Sequence, residues 1–372
     1  MTSAKTPKLL VFCAIALVLI GWMAIARYGE LTNESTPLLK RQIVWTVVAT
    51  IAALVMAMLD YRVFIRFAYP LFFLSIVLLV AVYFTSPINN ARRWLRVGPI
   101  GMQPSEFAKI AYLLAVSRFL MYRVDQRRLV GLVIPLLLTL VPVVLILKEP
   151  DLGTSMVFLP LFFVVAFISG ARYRDLIGAV LVGLAIVPLF WTQMSAEQRS
   201  RVTSLFSQPN PGEKVDDDVY QLDRAKQLAA LGGLWGSVIS GPAVDDPAEY
   251  RLPEAQSDFV ACIVAERFGI LGLGTLFLLY ATMIARGLYV SAACREPFGR
   301  LLAAGLMAIF AIEVVINLGM TVGLLPITGL ALPLVSYGGS SLTAHAIMLG
   351  LVTSVARHPG YDIADEPFEF AV

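Results

Sequence analysis

Charge is the first thing this chain is short of. Of its 372 residues only 15% are Asp, Glu, Lys or Arg, where a soluble domain carries about 25%. The two signs nearly cancel, leaving a formal net charge of +3, and no basic tract gathers what remains. Nothing therefore suggests a nucleic-acid partner. Cysteine is scarce too. Cys13, Cys262 and Cys294 lie in or beside apolar runs, with no spacing suited to zinc, and read as small hydrophobes. The chain has no CxxC pair, no nucleotide-binding loop and no metalloprotease motif. No internal repeat stands out.

What it has in abundance is apolar sequence, 58% of the residues. The excess falls in blocks without a single charge, at 43–59, 67–84, 129–147, 152–171 and 176–194. About 20 apolar residues cross a bilayer core as a helix, so these blocks exclude a soluble core. The pattern predicts an all-α, polytopic integral membrane protein with ten transmembrane helices, forming a single domain over 1–372. The spans are Leu9–Ala26, Gln42–Leu59, Phe67–Phe84, Gln103–Leu120, Leu129–Leu147, Leu152–Ser169, Leu176–Met194, Asp258–Ala285, 301–321 and 336–356. The first follows Lys5 and Lys8 as a signal peptide would. It is longer than a typical apolar signal region and more spans follow, so it reads as a retained helix. Ten spans put both termini on one side of the membrane. The short loops and tails of that side carry twice the Lys and Arg of the other, which makes it cytoplasmic. Residues 195–257, between spans 7 and 8, then form a large extracytoplasmic loop. Within it Asp216-Asp217-Asp218 reads as a solvated face and Gln221–Trp235 as a short amphipathic helix.

Ionisable residues inside or beside such spans are costly, and are either functional or paired. Arg92, Arg93 and Arg96 surround Trp94, which suits either a helix-end anchor at the interface or an anion-binding surface. Glu106 and Lys109 are three apart, hence on one face of span 4; they read as a functional pair or as an internal bridge. Asp151 can cap span 6 locally or line a site. Asp258 stands at the mouth of span 8, with Cys262 and Glu266 on its helical face. Glu313, Asn317 and Thr321 form a polar stripe at every fourth residue of span 9. The small residues of Ser336–Ser341 permit close helix approach, and His345 reads as a packed histidine. Asp258, Glu106, Lys109, Glu149, Asp151, Arg92 and Arg93 converge on the outer side. Acids and cations near lipid fit an enzyme acting on a lipid-linked phosphate. They fit equally a transporter that relays protons.

Six ordered motifs add to this. They are Arg93-Trp94-Leu95, Gln103-Pro104-Ser105-Glu106-Phe107-Ala108-Lys109, Glu149-Pro150-Asp151-Leu152-Gly153-Thr154, Leu252-Pro253-Glu254 through Asp258-Phe259, Gly323-Leu324-Leu325-Pro326-Ile327-Thr328-Gly329 and Pro333-Leu334-Val335-Ser336-Tyr337-Gly338-Gly339-Ser340-Ser341. Together they resemble the RodA/FtsW family, the SEDS glycosyltransferases of bacterial cell-wall synthesis, over almost the whole chain. Asn317-Leu318-Gly319-Met320 looks more like the RodA elongation branch. The resemblance implies polymerisation of lipid II into β-1,4-linked glycan strands, with release of undecaprenyl pyrophosphate, at the outer face of the bacterial cytoplasmic membrane. It implies Asp258 as the essential carboxylate and general base. Glu106, Lys109, Asp151, Ser336, Tyr337 and Ser340 would line the substrate cavity. Arg92 and Arg93 would contact the diphosphate, and Lys109 is a further candidate. A divalent cation, magnesium or manganese, would assist the leaving group, although the chain shows no defined metal cage. The implied partners are a class B penicillin-binding transpeptidase and other membrane proteins of the elongation machinery. A lipid II flippase and a non-catalytic scaffold are the competing functions. The chain departs from the family after Ala229–Ser237: Val238–Arg251 is more acidic, which points to a different partner surface there.

Overall fold

In lipid an apolar stretch has no partner for its backbone but itself, so it closes as a helix. The computed structural model describes residues 8–32, 35–86, 92–97, 100–122, 129–181, 183, 196–203, 217–241 and 252–359. The helices are α1 (Lys8–Thr32), α2 (Ser35–Met58), α3 (Val63–Val82), α4 (Pro104–Leu120), α5 (Leu129–Lys148), α6 (Leu152–Ile168) and α7 (173–181), followed by α8 (Ala196–Thr203), α9 (Asp217–Leu231) and α10 (Ser237–Ser240). The last three are α11 (Val260–Ala293), α12 (Pro297–Thr321) and α13 (Gly339–Arg357). Among the described residues seven helices are long and apolar enough to cross a membrane: α1, α2, α3, α5, α11, α12 and α13. Helix α6 is a shorter apolar one, and α4 carries Glu106, Lys109 and Arg118. Spans 1 to 6 and 8 to 10 thus coincide with helices. The amphipathic stretch at 221–235 belongs to α9. Much of span 7, Asp216 and the divergent 242–251 lie outside the described residues.

Two features depart from the sequence reading. Part of the arginine-rich segment is a strand, against the all-α expectation: Leu95–Val97 (β1) pairs antiparallel with Ile100–Met102 (β2), with Arg96 opposite Gly101. The all-α bundle therefore carries one short hairpin. Span 8 is not one straight helix either. Helix α11 breaks at Gly269, where φ is 65° and ψ is −162°, so Val260–Phe268 forms a separate segment ahead of the long apolar run.

The break has a cause in its neighbours. Gly232, Gly233 and Gly236 follow α9 and press backbone to backbone on α11. A Cβ on Gly232 would overlap the carbonyl of Ala265, one on Gly236 that of Arg267, and one on Gly269 that of Leu234. The Ile270 amide, freed by the break, donates to Gly233 O at 2.9 Å. Only glycine tolerates both the contact and the positive φ.

Helix α12 sits at the centre, packed on α4, α6, α11 and α13, while α13 packs on α2 and α1 on α11. The outer faces of α2, α3 and α11 expose Val44, Ile51, Phe73 and Phe277, as helices facing lipid do. Polar pins tie the bundle together. Arg27 of α1 grips Glu266 of α11 with two bonds, 2.9 and 3.2 Å. Glu296, ahead of α12, accepts from Tyr61 Oη at 2.5 Å and Arg62 Nε at 2.8 Å, which ties it to the start of α3.

A pair of substitutions tests the break. Gly269→Ala forces a Cβ into a left-handed conformation and against backbone, and should destabilise by about 1–3 kcal/mol. Gly274→Ala, five residues on, meets nothing within 4 Å and should gain about 0.5–1 kcal/mol. Thermal midpoints of the detergent-purified proteins should order as Gly274→Ala, native, Gly269→Ala.

Candidate active site

The segment Leu252–Phe259 is short, and its side chains alone would not hold it. Leu252, Ala255 and Phe259 are buried anchors. Between them the chain turns tightly: the Ser257 and Asp258 amides both donate to Glu254 O, at 3.1 and 2.9 Å. Three consecutive carbonyls then face outward from the turn, and each is taken by another element. Gln256 O accepts from the Tyr337 amide at 2.9 Å. Ser257 O accepts from Ser336 Oγ. Asp258 O accepts from Asn317 Nδ2 at 2.8 Å. The carboxylate-bearing turn is therefore clamped along its backbone.

The clamp is itself held. Ser336 Oγ accepts from the Leu332 amide at 2.8 Å, and Gln42 of α2 donates to Ser336 O at 3.2 Å. Tyr280 of α11 donates to Pro333 O at 2.5 Å. Gly329, at φ 67°, passes beside the Asp258 side chain; a Cβ there would lie 3.3 Å from Asp258 Oδ2. The positive φ and the proximity both ask for glycine. Tyr337 is half-buried and contributes its backbone to the clamp.

A second group lies on the neighbouring helix ends. Asp151 caps α6: Oδ1 accepts from the Thr154 amide at 3.1 Å and Oδ2 from Thr154 Oγ1 at 2.9 Å. Gln103, just before α4, also donates to Oδ2 at 3.1 Å, so the local capping reading of Asp151 extends to joining two helix ends. Ser340 accepts from the Gln103 amide at 3.1 Å and donates to Gly101 O at 3.3 Å, tying α13 to β2. The start of α6 rests on the clamp loop; a Cβ on Gly153 would lie 2.7 Å from Thr328 O. Arg93 is half-buried and donates to the carbonyls of Pro150 and Glu149, the latter at 3.4 Å. Arg92 is exposed and donates to Tyr83 O at 2.7 Å.

These neighbours set the electrostatics of Asp258. Burial raises its pKa, and Glu254 adds to that; the Ser257 hydroxyl, Arg93 and Arg201 pull the other way, leaving it at about 6. Glu149 is an extreme case. Its two carboxyl oxygens are buried with no hydrogen-bond partner. Burial, then the negative charge of Asp151, raise it to about 8 against the pull of Arg93.

Glu106 and Lys109 stand apart from this surface. Lys109 has no exposed area. Its ammonium donates to Glu106 Oε2 at 3.0 Å and to Glu313 Oε1. His345 Nε2 meets Glu313 Oε2 at 2.5 Å, and Nδ1 meets Ser341 O at 2.7 Å. Lys109 here faces protein on every side, not a phosphate. The internal-bridge reading matches this geometry, extended by two residues. Glu106, Glu313 and His345 could by composition hold a metal, their ligand atoms lying within 4.8 Å of one another. Lys109 already supplies the cation to both carboxylates, so a divalent ion does not fit there without evicting it.

Sequence reasoning on the site residues missed what Asn317, Gln42 and Gly329 do. Asn317 had a signal, its place in the stripe with Glu313 and Thr321; Gln42 had none.

Comparison with known proteins adds an independent line. The family model described as "Cell cycle protein" (FtsW, RodA, SpoVE) matches residues 5–361. Over 347 residues the chain is 35% identical to the peptidoglycan glycosyltransferase MrdB of Escherichia coli (strain K12), covering 92% of each. It is 30% identical over 422 residues to the peptidoglycan glycosyltransferase RodA of Treponema pallidum (strain Nichols), covering 93% of this chain and 96% of that one. Among solved structures, a chain from "Structural coordination of polymerization and crosslinking by a peptidoglycan synthase complex" superposes with a TM-score of 0.80 at 34% identity, covering 95% of this chain and 98% of that chain. The rod shape determining protein RodA of Thermus thermophilus gives 0.69 at 32% identity, covering 95% and 97%.

Two measurements test the buried groups. With its pKa raised from 4.5 to about 8, Glu149 keeps a proton in the folded state that the unfolded state releases. Its contribution is complete below pH 4.5 and lost as pH rises through about 8. Glu149→Gln should flatten the fall of the thermal midpoint across that window; an unchanged slope would count against the buried acid. Lys109→Ala leaves two buried carboxylates without a cation and should cost about 3–5 kcal/mol, read as a lost monodisperse peak on size exclusion.

Proposed function

The chain belongs to the FtsW, RodA and SpoVE family of cell cycle proteins, and from that membership we propose that it is a peptidoglycan glycosyltransferase with Asp258 as its general base. It is a multi-pass membrane protein. In this reading ten helices span the membrane, both termini are cytoplasmic, and the Asp258 turn faces outward in the bacterial cytoplasmic membrane. The substrate is lipid II, a disaccharide pentapeptide carried on undecaprenyl pyrophosphate.

The chemistry follows from what the reaction needs. A sugar hydroxyl of the incoming lipid II attacks the anomeric carbon of the growing chain. The new C–O bond forms as the bond to the diphosphate breaks, and the α-linked donor becomes a β-1,4 glycoside. The hydroxyl proton passes to the Asp258 carboxylate. The bond's electron pair leaves with undecaprenyl pyrophosphate, and Arg93 and Arg92 lie on the hairpin side to offset its charge. Asp151, Ser340 and Ser336 act through the backbone they hold. The observation that carries the reading is the Asp258 turn, with three successive carbonyls clamped and its carboxyl at about 6. Such a base is ionised at neutral pH yet stronger than an ordinary aspartate, which suits proton abstraction.

A transpeptidase partner fits the likeness to the peptidoglycan synthase complex in which polymerization and crosslinking are coordinated. We take it to be a class B penicillin-binding protein that crosslinks the strands made here, working with other membrane proteins of the elongation machinery. The Asn317-Leu318-Gly319-Met320 sequence and the MrdB and RodA relatives favour the elongation branch. A divalent cation at the diphosphate would arrive with the substrate.

Polymerisation of labelled lipid II by the purified complex, with penicillin present to block crosslinking, tests this. Native protein should yield a ladder of glycan lengths, at a rate that rises through pH 6 or so as Asp258 ionises. Asp258→Asn, with the complex intact, should lose about 10²–10⁴-fold in rate. A native rate from Asp258→Asn would sink the assignment.

A further inference from the structure

We propose that Asn317 is a positioning residue for Asp258: its amide holds the main chain of Asp258 against that of Leu330 and so sets where the carboxylate stands. The inference rests on the reading of Asp258 as the base of a lipid-linked sugar polymerase. Asn317 sits on α12 with no exposed area. Its Nδ2 donates twice, to Asp258 O at 2.8 Å and to Leu330 O at 2.7 Å. A carboxamide is the side chain that carries two hydrogens on one nitrogen at this reach. Aspartate, leucine and threonine cannot bridge the same two carbonyls.

The orphaned atom argues in the same direction. Asn317 Oδ1 is buried without a hydrogen-bond partner among the described residues, which is costly. An apolar residue of similar size would avoid that cost, and would release both carbonyls. A group kept at such a cost asks for a reason, and the turn that carries Asp258 supplies one. The residue's own place is firm. Thr321 Oγ1 bonds Asn317 O at 2.8 Å, and Glu313, one turn earlier, is locked to Lys109 and His345. Asn317 does not act on the carboxylate directly. Among the described residues the charged groups that act on Asp258 are Glu254 on its own turn, Arg93 ahead of β1 and Arg201 on α8, while Gly329 passes beside its side chain. Released from α12, the turn would let the carboxylate move out toward water and away from the reacting hydroxyl.

The test is steady-state polymerisation of labelled lipid II by the complex with its transpeptidase, native against Asn317→Ala, across pH. A misplacement of about 1 Å can cost about a hundredfold in rate, so kcat should fall by about that factor with KM little changed. The acidic limb of the profile should move from about 6 toward the ordinary value of about 4. Asn317→Ser retains one donor, and should recover part of both the rate and the limb. It carries the same readout if Asn317→Ala fails to assemble. Native kcat and an unmoved limb in these variants would overturn the inference alone. So would a loss of rate that only tracks the amount of assembled complex. A native complex that makes no polymer at all would overturn the underlying reading, and the inference with it.

Discussion

The structure turns on one buried cation. Lys109 is enclosed in the bundle and shared between Glu106 and Glu313, and Glu313 in turn meets His345. In a low-dielectric interior a lone charge would be intolerable, and each of these groups is acceptable only because the others are in place. Helices α4, α12 and α13 each contribute to the set, so their registers cannot slide independently. Fixing Glu313 fixes the stripe on α12. Asn317 comes one turn later and Thr321 one turn after that. Through Asn317 the register reaches Asp258, whose carboxylate lies outside that network.

Two kinds of electrostatics are kept apart in this arrangement. Around Lys109 the carboxylates and the cation are paired and closed to water. At the helix ends Glu149 and Asp151 are buried, while Arg93 is half-buried and Arg92 exposed. Arg93 is oriented by the main-chain carbonyls of Glu149 and Pro150, and its charge acts on the Glu149 and Asp258 carboxyls. Asp258 is fixed by its backbone, and Arg93 and Arg201 act on its carboxylate through their charge. Rigid backbone with cationic charge held beside it is what a site for a diphosphate-linked sugar requires.

Much of this was legible in the sequence. Charge-free blocks of span length announced the helices because lipid leaves them no alternative, and the sharp passage from polar loop to apolar run marked Asp258. The capping role of Asp151 was readable because its partner Thr154 lies three residues away. What was not legible depends on distance along the chain or on backbone. Lys109 and Glu313 are 204 residues apart and Glu313 and His345 are 32 apart, and no periodicity links them. His345 read as merely packed because its acceptor is on another helix. The hairpin at Leu95–Met102 was hidden by its amphipathic composition, which suits an interfacial segment of either form. The break at Gly269 needed the glycines of 232–236 to be placed against it, a contact between backbones that side-chain patterning does not record.

A polymerase uses such polar machinery to make bonds, where a transporter would use similar groups to move its cargo. Sealed vesicles holding the native complex and lipid II labelled in one leaflet separate the two by reading polymer and leaflet exchange in the same sample. Glycan polymer formed while the labelled lipid stays in its leaflet is the predicted result. Exchange of lipid II between leaflets with no polymer, from a complex shown to be assembled, would contradict it.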